Sequence, residues 1–429
     1  MILYFLGFNT PLQSDLEAFL ATPALRGANV SCCVRDASGN VLLEHNSEAR
    51  MIPASNQKLI SVAFALAKLG PSFQPTIQFW ITDKRLTIAS DGYCSLKYED
   101  LLRAKKTLGL KARVPVELIE SFSPGIPPSW EWDDLRNKYA PSITALSCDR
   151  ASFELWAKNG GLELRPDSYG VQLRTVSSGT GIDYDPRLGI VLYHGKVPAD
   201  EQRLDTLAVP KPSEAVASVF GWVTKRSSVR PIGPPTLELT GDQLQETAKE
   251  CLSKSDNFLA EQLLLMAAQS QGSLGNDPYK TASKVVVEWL VQQVGCEADD
   301  FKVLDGSGLS RHNLLTTRGL TRLLNYCKHQ SFAASWAQAL AVPGYGTLKG
   351  RLAGSAFWGK TGTLDSVAAL SGYLRDLENN QLSLSILVNN FVAKPNDVRN
   401  ATDGFVRKLE ISLGGRCIPA KSAVLQVRS

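Results

Sequence analysis

One stretch of the chain, residues 55–69, carries apolar side chains on every face that a helix of this length would have. A helix that is hydrophobic all round is a buried one. Pro53 just before the stretch and the Gly70-Pro71 pair just after it mark the two ends. The pattern therefore predicts a buried helix that contains one unexpected charge, that of Lys58.

The remaining pattern predicts a mixture of helices and strands. Segments 29–35 and 40–44 flank a Gly-containing turn and predict a β-hairpin, in which Cys32 and Cys33 point to opposite faces as packing residues. Helical periodicity covers 242–270, 281–294, 316–329 and 397–413. Strand-like runs with short connections, typical of an antiparallel meander, occupy 356–364, 367–375 and 383–390.

Residues 79–229 differ in character from both flanks. Breaks rich in Pro and Gly separate short strand candidates at 153–156, 171–176 and 189–193. We interpret this region as an inserted β-rich module, of one domain or two small ones, that splits a core domain. The predicted division is 12–78 for the first part of the catalytic domain, 79–229 for the module and 230–429 for the second part.

Composition narrows the class of protein. The 429 residues include 46 Lys and Arg against 42 Asp and Glu, interspersed along the chain, which argues against a nucleic-acid binder. Eight cysteines without a CxxC motif and only four histidines argue against a metal site, and no cofactor is predicted. No apolar run approaches the ~20 residues that span a bilayer. The apolar start, Met1–Phe8, lacks a basic segment and is not a convincing signal peptide; a core strand or the stump of a truncated leader fits better.

A first candidate for chemistry is the segment from Ser55 to Lys58, at the start of the buried helix. Residues three apart share one helix face, so the lysine amine can approach the serine hydroxyl. A buried lysine has a lowered pKa and can act as a base, and a helix N-terminus favours developing negative charge. The alternative is a Ser N-cap followed by a surface lysine. The apolar neighbours of Lys58 favour an activated serine nucleophile.

A second polar motif, Ser255-Asp-Asn257, interrupts the helical stretch 242–270. All three residue types favour turns and N-caps, so a plain turn is the alternative to a functional site. By itself this motif does not indicate a functional site; it does so only together with the other motifs of the chain.

A third motif, Lys360-Thr-Gly-Thr363, lies on a predicted strand. Its glycine allows close approach of a substrate backbone, which could pair with the strand edge while Lys and Thr hold a carboxylate. The alternative is a solvent-facing edge strand protected by its lysine. The overlapping segment 354–361 also matches the phosphate-binding pattern GxxxxGK[ST], but no buried strand precedes it and no helix start follows, so a nucleotide site is not predicted.

The motifs occur in the order SxxK, SxN, KTG, the set of class A β-lactamases and penicillin-binding proteins. From about residue 27 to 413 the chain resembles the D-alanyl-D-alanine carboxypeptidase/endopeptidase family, the class C low-molecular-mass penicillin-binding proteins. The 200 residues between Ser55 and Ser255 far exceed the interval in class A β-lactamases, which lack an inserted module. The resemblance implies an α+β fold: a penicillin-binding/β-lactamase-like core with an antiparallel sheet flanked by helices, interrupted by the β-rich module.

The resemblance also implies residue roles. Ser55 is the acylated nucleophile and Lys58 its base, while Ser255 and Asn257 relay protons and hold the substrate amide. Lys360 belongs to the catalytic group and helps to bind the terminal carboxylate. The implied substrate-binding positions are Thr361, Gly362, Thr363, Ser307, Leu309, Arg311, Trp130 and Asp133, with Asp134 as the alternative to Asp133.

The implied function is a serine D-Ala-D-Ala carboxypeptidase/endopeptidase that acts on peptidoglycan stem peptides and cross-links through an acyl-enzyme. β-Lactams are its expected covalent inhibitors, and family members are exported, which implies an extracytoplasmic location. Two alternatives remain open: a catalytically silent peptidoglycan-binding protein of the same fold, and a β-lactamase. The residues do not separate carboxypeptidase from endopeptidase action.

Overall fold

The structure is a computed structural model that describes residues 10–83, 85–166, 169–376 and 379–413. Its α-helices are α1 (Pro11–Leu20), α2 (Gln57–Leu69), α3 (Tyr98–Thr107), α4 (Pro212–Ser218), α5 (Leu244–Lys254), α6 (Asn257–Gln269), α7 (Pro278–Trp289), α8 (Thr317–Cys327), α9 (Ala333–Ala339) and α10 (Pro395–Ser412). The strands of the first half are β1 (Asn29–Arg35), β2 (Val41–His45), β3 (Thr76–Thr82), β4 (Arg85–Ser90), β5 (Val114–Glu120), β6 (Ser152–Lys158), β7 (Gly161–Arg165), β8 (Gln172–Val176), β9 (Gly181–Asp185) and β10 (Ile190–His194). Those of the second half are β11 (Gln202–Ala208), β12 (Gly221–Ser227), β13 (Leu237–Thr240), β14 (Phe301–Lys302), β15 (Leu314–Leu315), β16 (Trp358–Leu364), β17 (Val367–Arg375) and β18 (Gln381–Asn389).

A five-stranded antiparallel sheet, in the order β16-β17-β18-β1-β2, forms the centre of the core domain. The nine-residue strands β17 and β18 are almost entirely buried because helices cover both faces. On one face α1 and α10 pack together, with Phe19 and Phe405 stacked at 4.5 Å between ring centroids. On the other face α8 contacts β1, β17 and β18. The predicted hairpin and meander are confirmed, and so is the α+β class.

The buried helix predicted at 55–69 is confirmed as α2, which a 3-10 turn at Ala54–Asn56 precedes. Its first ten residues are all buried, and it packs against α5 and α6. It ends at Gly70, whose φ of +84° suits glycine. The stretch predicted at 242–270 forms α5 and α6, with the expected interruption between them.

The inserted region consists mainly of strands, as the pattern predicts. A five-stranded sheet in the order β12-β5-β4-β3-β13 receives the entering chain on β3 and releases it on β13, which are paired neighbours. Two three-stranded sheets, β11-β6-β7 and β8-β10-β9, contain the strands predicted at 153–156, 171–176 and 189–193. Because the larger sheet reaches from Thr76 to Thr240, we propose that the module extends slightly beyond the predicted limits of 79 and 229.

Seven of the eight cysteines lie in the described residues, and all seven are free and buried. Cys32 packs in the cluster beneath α10, whereas the Cys33 thiol accepts from the Thr321 hydroxyl of α8 on the opposite face. Their predicted packing role on opposite faces is confirmed. The segment Met1–Phe8 and Cys417 lie outside the described residues. Within those residues, no helix is both long and apolar enough to cross a membrane.

Candidate active site

Ser55 lies in the tight 3-10 turn that leads into α2. Ala54, immediately before it, has a φ of +45°, a left-handed conformation that is strained for a residue other than glycine. Asn56 anchors the turn because its side-chain amide donates to the Ser371 hydroxyl of β17 at 2.7 Å. Ser371 in turn shares a hydrogen bond of 2.8 Å with Ser385 of β18. The serine hydroxyl is thus presented from a turn that the central sheet holds in place.

Lys58, one turn further along α2, is completely buried. Its Nζ donates to three oxygens: Ser55 Oγ at 2.9 Å, Asn257 Oδ1 at 2.7 Å and the carbonyl of Ser307 at 2.7 Å. Burial lowers the pKa of the Lys58 ammonium, although nearby groups such as Cys251 and Asp305 act in the opposite direction. A lysine with a lowered pKa within hydrogen-bond reach of a serine hydroxyl can take its proton.

The SxN motif forms the junction between α5 and α6. Ser255 has a φ of +62° and ends α5, and the Asp256 side chain caps α6 by accepting from the backbone N–H of Leu259 at 3.0 Å. Asn257 therefore reaches Lys58 from the first residue of α6, and its own amide donates to the carbonyl of Tyr139 at 2.8 Å. Ser255 is not brought together with the others: within the described residues its hydroxyl bonds neither Ser55 nor Lys58.

A cavity of about 910 Å³ adjoins this junction on the side of the module, and Ser255 lines it. Asn257 and Tyr139 line both this cavity and a separate, smaller cleft that opens at Ser55. The two openings thus share a wall, and Ser255 lines the larger cavity and not the cleft.

The KTG motif occupies β16, which is an edge strand of the central sheet. Gly362 is required by a close approach, because a Cβ there would lie 2.9 Å from the carbonyl oxygen of Pro53 and 3.0 Å from the backbone nitrogen of Ser55. Thr361 is buried, whereas Thr363 is exposed. The strand runs on to Leu364 without opening a helix, so the phosphate-binding pattern at 354–361 lacks the required context.

Lys360 is as deeply buried as Lys58. Its Nζ donates to the carbonyl oxygen of Thr361 at 2.6 Å. Burial, reinforced by the positive charge of Lys58, holds the pKa of Lys360 well below its ordinary value. Lys360 therefore bonds the strand backbone and offers no solvent-facing ammonium group.

The loop 305–311 supplies the carbonyl that Lys58 contacts, and two buried carboxylates hold this loop. Glu261 of α6 accepts from the backbone N–H groups of Gly306 and Ser307 at 2.7 and 2.8 Å. Burial and the charge of Asp305 raise the pKa of Glu261 to about 8. Asp305 accepts from the backbone N–H groups of Gly308 and Ser310, both at 2.7 Å. The position of the Ser307 carbonyl thus depends on two acids beneath it.

Trp130 belongs to this support. It is only 8% exposed, and its indole N–H donates to Asp305 at 2.8 Å while the ring packs near Leu309. Gly308 is required by contact with the nucleophile turn, because a Cβ there would lie 1.9 Å from the carbonyl oxygen of Ala54. The loop, the tryptophan and the serine turn therefore form one packed unit.

A cleft of about 370 Å³ opens at Ser55. Its walls include the predicted residues Leu309, Arg311 and Thr363. Arg311 pairs with Glu131 at 3.2 Å and donates to the carbonyl oxygen of Asp365. Of the two neighbouring aspartates Asp134 lines the cleft, where it accepts from the Tyr139 hydroxyl at 2.7 Å, whereas Asp133 is exposed and is not part of the wall.

Sequence reasoning missed three groups at the site: Asn56, Glu261 and Arg399. Glu261 carried a usable signal, a single charge in the apolar second half of the stretch 242–270, the same signal that drew attention to Lys58. Asn56 lay inside the SxxK motif without a predicted role. Arg399 of α10, which donates to Thr363 Oγ1 at 3.1 Å, had no signal because it lies 36 residues beyond its partner.

A serine, a buried lysine and an asparagine that meet at a helix start, opposite an edge strand, define the class of active-site serine enzymes that form an acyl-enzyme. The profile of the D-Ala-D-Ala carboxypeptidase 3 (S13) family matches residues 12–167 and 222–409. The chain therefore belongs to this family. The predicted family and enzyme class, a serine-type D-Ala-D-Ala carboxypeptidase acting on peptidoglycan peptides, are confirmed.

Individual relatives agree with this assignment. A D-alanyl-D-alanine carboxypeptidase from Actinomadura sp. is 28% identical over 89% of this chain and 81% of its own length. A penicillin-sensitive carboxypeptidase A from Dictyostelium discoideum is 23% identical over 82% of this chain and 81% of its own. Penicillin-binding protein 4 from Haemophilus influenzae shares the fold, with a TM-score of 0.74 at 20% identity, covering 94% of this chain and 99% of that one. The predicted penicillin-binding fold is confirmed.

Proposed function

We propose that Ser55 is the nucleophile of this carboxypeptidase and that Lys58 is its general base. The observation that carries this assignment is the distance of 2.9 Å between Lys58 Nζ and Ser55 Oγ, in a place where the lysine is completely buried. Burial favours the neutral amine, which is the form that can accept a proton. In that form two N–H groups donate to Asn257 and to the Ser307 carbonyl, and the lone pair accepts from the Ser55 hydroxyl across the same contact of 2.9 Å. Asn257 fixes the lysine on its second side at 2.7 Å.

The reaction follows as acyl transfer. Ser55 Oγ attacks the carbonyl carbon of the penultimate D-Ala while its proton passes to Lys58. The backbone N–H groups of Ser55 and Thr363 face the developing oxyanion, and the contact of Gly362 with the serine backbone supports their proximity. Cleavage of the amide bond releases the terminal residue as an amine, which takes the proton from Lys58. Water then hydrolyses the ester and restores Ser55.

The substrate backbone would pair with the outer edge of β16 beyond Gly359, which is itself bridged to Ala341, with Thr361 and Thr363 at the terminal carboxylate of the substrate. The cleft at Arg311 and Leu309 would receive the distal part of the stem peptide. We assign the substrate-binding carboxylate of this part of the cleft to Asp134 in place of Asp133, because Asp134 lines the cleft.

Three predicted roles need adjustment to the contacts. We assign Trp130 to the support of Asp305, since its indole is buried and bonded there. Ser255 would relay protons only if its hydroxyl came within hydrogen-bond reach of Lys58, whose Nζ contacts Ser55, Asn257 and Ser307. Ser307 contributes through its backbone carbonyl, which holds Lys58.

Peptidoglycan peptides as substrates imply an extracytoplasmic site of action, because the cell wall lies outside the cytoplasmic membrane. We also propose β-lactams as covalent inhibitors at Ser55. A neighbour of the same fold, penicillin-binding protein 4 from Haemophilus influenzae, was solved in complex with a β-lactam, at 18% identity and a TM-score of 0.71.

The test of the nucleophile uses a labelled penicillin. We expect the label on Ser55 by peptide mass analysis and its complete loss in Ser55→Ala. Ser14→Ala, which removes an exposed serine of α1, is the matched control and should label like the wild-type protein. Full labelling of Ser55→Ala would contradict the assignment. The lifetime of the adduct separates the alternatives: a long-lived adduct indicates a peptidase, rapid turnover a β-lactamase, and no adduct a silent binding protein.

The choice between carboxypeptidase and endopeptidase action needs substrates. Purified muropeptides, uncross-linked and cross-linked, would be digested and the products measured by mass. Loss of one D-Ala from the monomer shows carboxypeptidase action, and conversion of dimers to monomers shows endopeptidase action.

A further inference from the structure

Arg399 lies on α10, the helix that packs against one face of the central sheet, close to the end of the KTG strand β16. Its guanidinium donates through Nη2 to Thr363 Oγ1 at 3.1 Å and through Nη1 to Asn396 Oδ1 at 3.0 Å. Thr363 is exposed and lines the cleft that opens at Ser55. A cation, Arg399, therefore contacts the hydroxyl of Thr363, the residue of the motif that we place at the terminal carboxylate of the substrate.

The charge of Arg399 has no counter-charge among the described residues, because none of their Asp or Glu oxygens lies within 4.0 Å of its guanidinium. Arg311, which lines this cleft, is different because it pairs with Glu131 at 3.2 Å. A guanidinium that is half-buried and unpaired at the rim of a substrate cleft is suited to an anionic ligand.

The lysine of the motif cannot supply this charge directly. Lys360 Nζ is buried and bonded to the Thr361 carbonyl, and burial together with the charge of Lys58 holds the pKa of Lys360 low. A substrate carboxylate at Thr361 and Thr363 would meet two hydroxyl groups, which are neutral. Arg399 is a cation one hydrogen bond away from the second of these hydroxyl groups, that of Thr363.

We infer that Arg399 is a specificity-determining residue that makes the enzyme select peptides with a free C-terminal α-carboxylate. This inference rests on the proposed function of the site. The hydrogen bond from Arg399 occupies an acceptor position of Thr363 Oγ1 and leaves the hydroxyl proton free to point at the carboxylate. The guanidinium also polarises that hydroxyl and attracts the carboxylate across the short distance between them. A substrate whose terminus is an amide gains neither effect.

The test compares two synthetic peptides that end in D-Ala-D-Ala, one with a free carboxylate and one with a C-terminal amide. Both contain the same scissile bond. The measured quantity is the ratio of the two kcat/KM values on one enzyme preparation, a ratio in which the fraction of folded enzyme cancels. We expect the wild-type protein to prefer the acid and Arg399→Gln to lose about tenfold of that preference, the scale expected for a partly exposed charge-assisted contact.

Two further variants sharpen the result. Arg399→Lys keeps the positive charge but loses the planar set of guanidinium N–H donors, so an intermediate acid/amide ratio is expected. Arg407→Gln, which removes the same charge two turns further along α10, where Arg407 contacts the carbonyl of Ala353, should keep the wild-type ratio. Added salt should reduce the acid preference of the wild-type protein and not that of Arg399→Gln.

Two results overturn the inference. An unchanged acid/amide ratio in Arg399→Gln rejects it, both when the two kcat/KM values stay at the wild-type level and when they fall by the same factor, which would mean a purely structural role. In both cases saturating penicillin label at Ser55 would show that the proposed function stands. Failure of the wild-type protein to hydrolyse either peptide or to label at Ser55 overturns the proposed function and this inference with it.

Discussion

The polar groups beneath Ser55 and the ion pairs of the inserted module are built in opposite ways. Lys58, Glu261 and Asp305 are each 0% exposed, and each meets its partners inside the core. In the module the Arg or Lys of each described ion pair within 79–229 keeps at least 30% of its side chain exposed. The cluster beneath Ser55 excludes water from its ionisable groups, whereas the module leaves the cations of its ion pairs in contact with water.

This difference in burial indicates where substitutions should be costly. A buried polar group that loses its partner has no water to replace it, so each member of the cluster depends on the others. An exposed ion pair is screened and contributes little. Changes should therefore have large effects around Ser55 and small effects in the module.

The largest effect is expected for Lys58→Arg. Loss of the general base should lower the rate of acylation about a thousandfold or more. For the wild-type protein, kcat/KM should rise with pH as Lys58 loses its proton. Because burial lowers the pKa of Lys58, this rise should occur at a pH below the ordinary lysine pKa of about 10.4. Arginine stays protonated, so the variant should show no such rise.

The measurement is the rate of penicillin acylation and of peptide hydrolysis across the pH range. Lys68→Arg, in the last turn of the same helix α2, is the matched control and should behave like the wild-type protein. A wild-type profile that rises only near the ordinary lysine pKa would contradict a buried neutral base.

An intermediate effect is expected for Asp305→Ala. The change leaves the buried donors of Gly308, Ser310, Trp130 and Asn313 without their acceptor. We expect a loss of about 4 kcal/mol in the free energy of unfolding, together with slower acylation, because the loop also holds Lys58. Denaturant unfolding checks the stability. Asp133→Ala, which removes an exposed aspartate, should change the stability little. Equal losses in both variants would contradict a special dependence of the fold on buried carboxylates.

The smallest effect is expected for Arg203→Gln in the module. Arg203 pairs with Glu154 at 2.8 Å, but its side chain is 54% exposed and that of Glu154 is 33% exposed. Solvent screening limits the expected loss to less than about 1 kcal/mol, without a change in acylation. The same unfolding measurement tests it. A loss comparable to that of Asp305→Ala would show that the module relies on its ion pairs as the core relies on its buried cluster.

Much of the fold followed from local patterns. The stretch at 55–69 predicted α2 because a helix that is apolar on every face is buried. Strand-like runs with short connections predicted the three strands at 356–390. The site was also predicted in part from local sequence, since a lysine inside an apolar helix is costly unless it finds polar partners or loses its charge, and this pointed to a polar site around Lys58. The order of the three motifs then indicated the class of enzyme.

The sequence by itself determined the buried helix with its serine and lysine, the order of the motifs and the family. The tertiary structure decided which partners meet: Asn56 with Ser371, Glu261 with the loop 305–311, and Arg399 with Thr363. It also decided that Asp134 and not its neighbour Asp133 faces the cleft. The physical reason is distance along the chain. Hydrophobic periodicity can be read from residues that are close in the sequence. Contacts between residues 36 to 315 positions apart depend instead on how the helices and strands pack against one another.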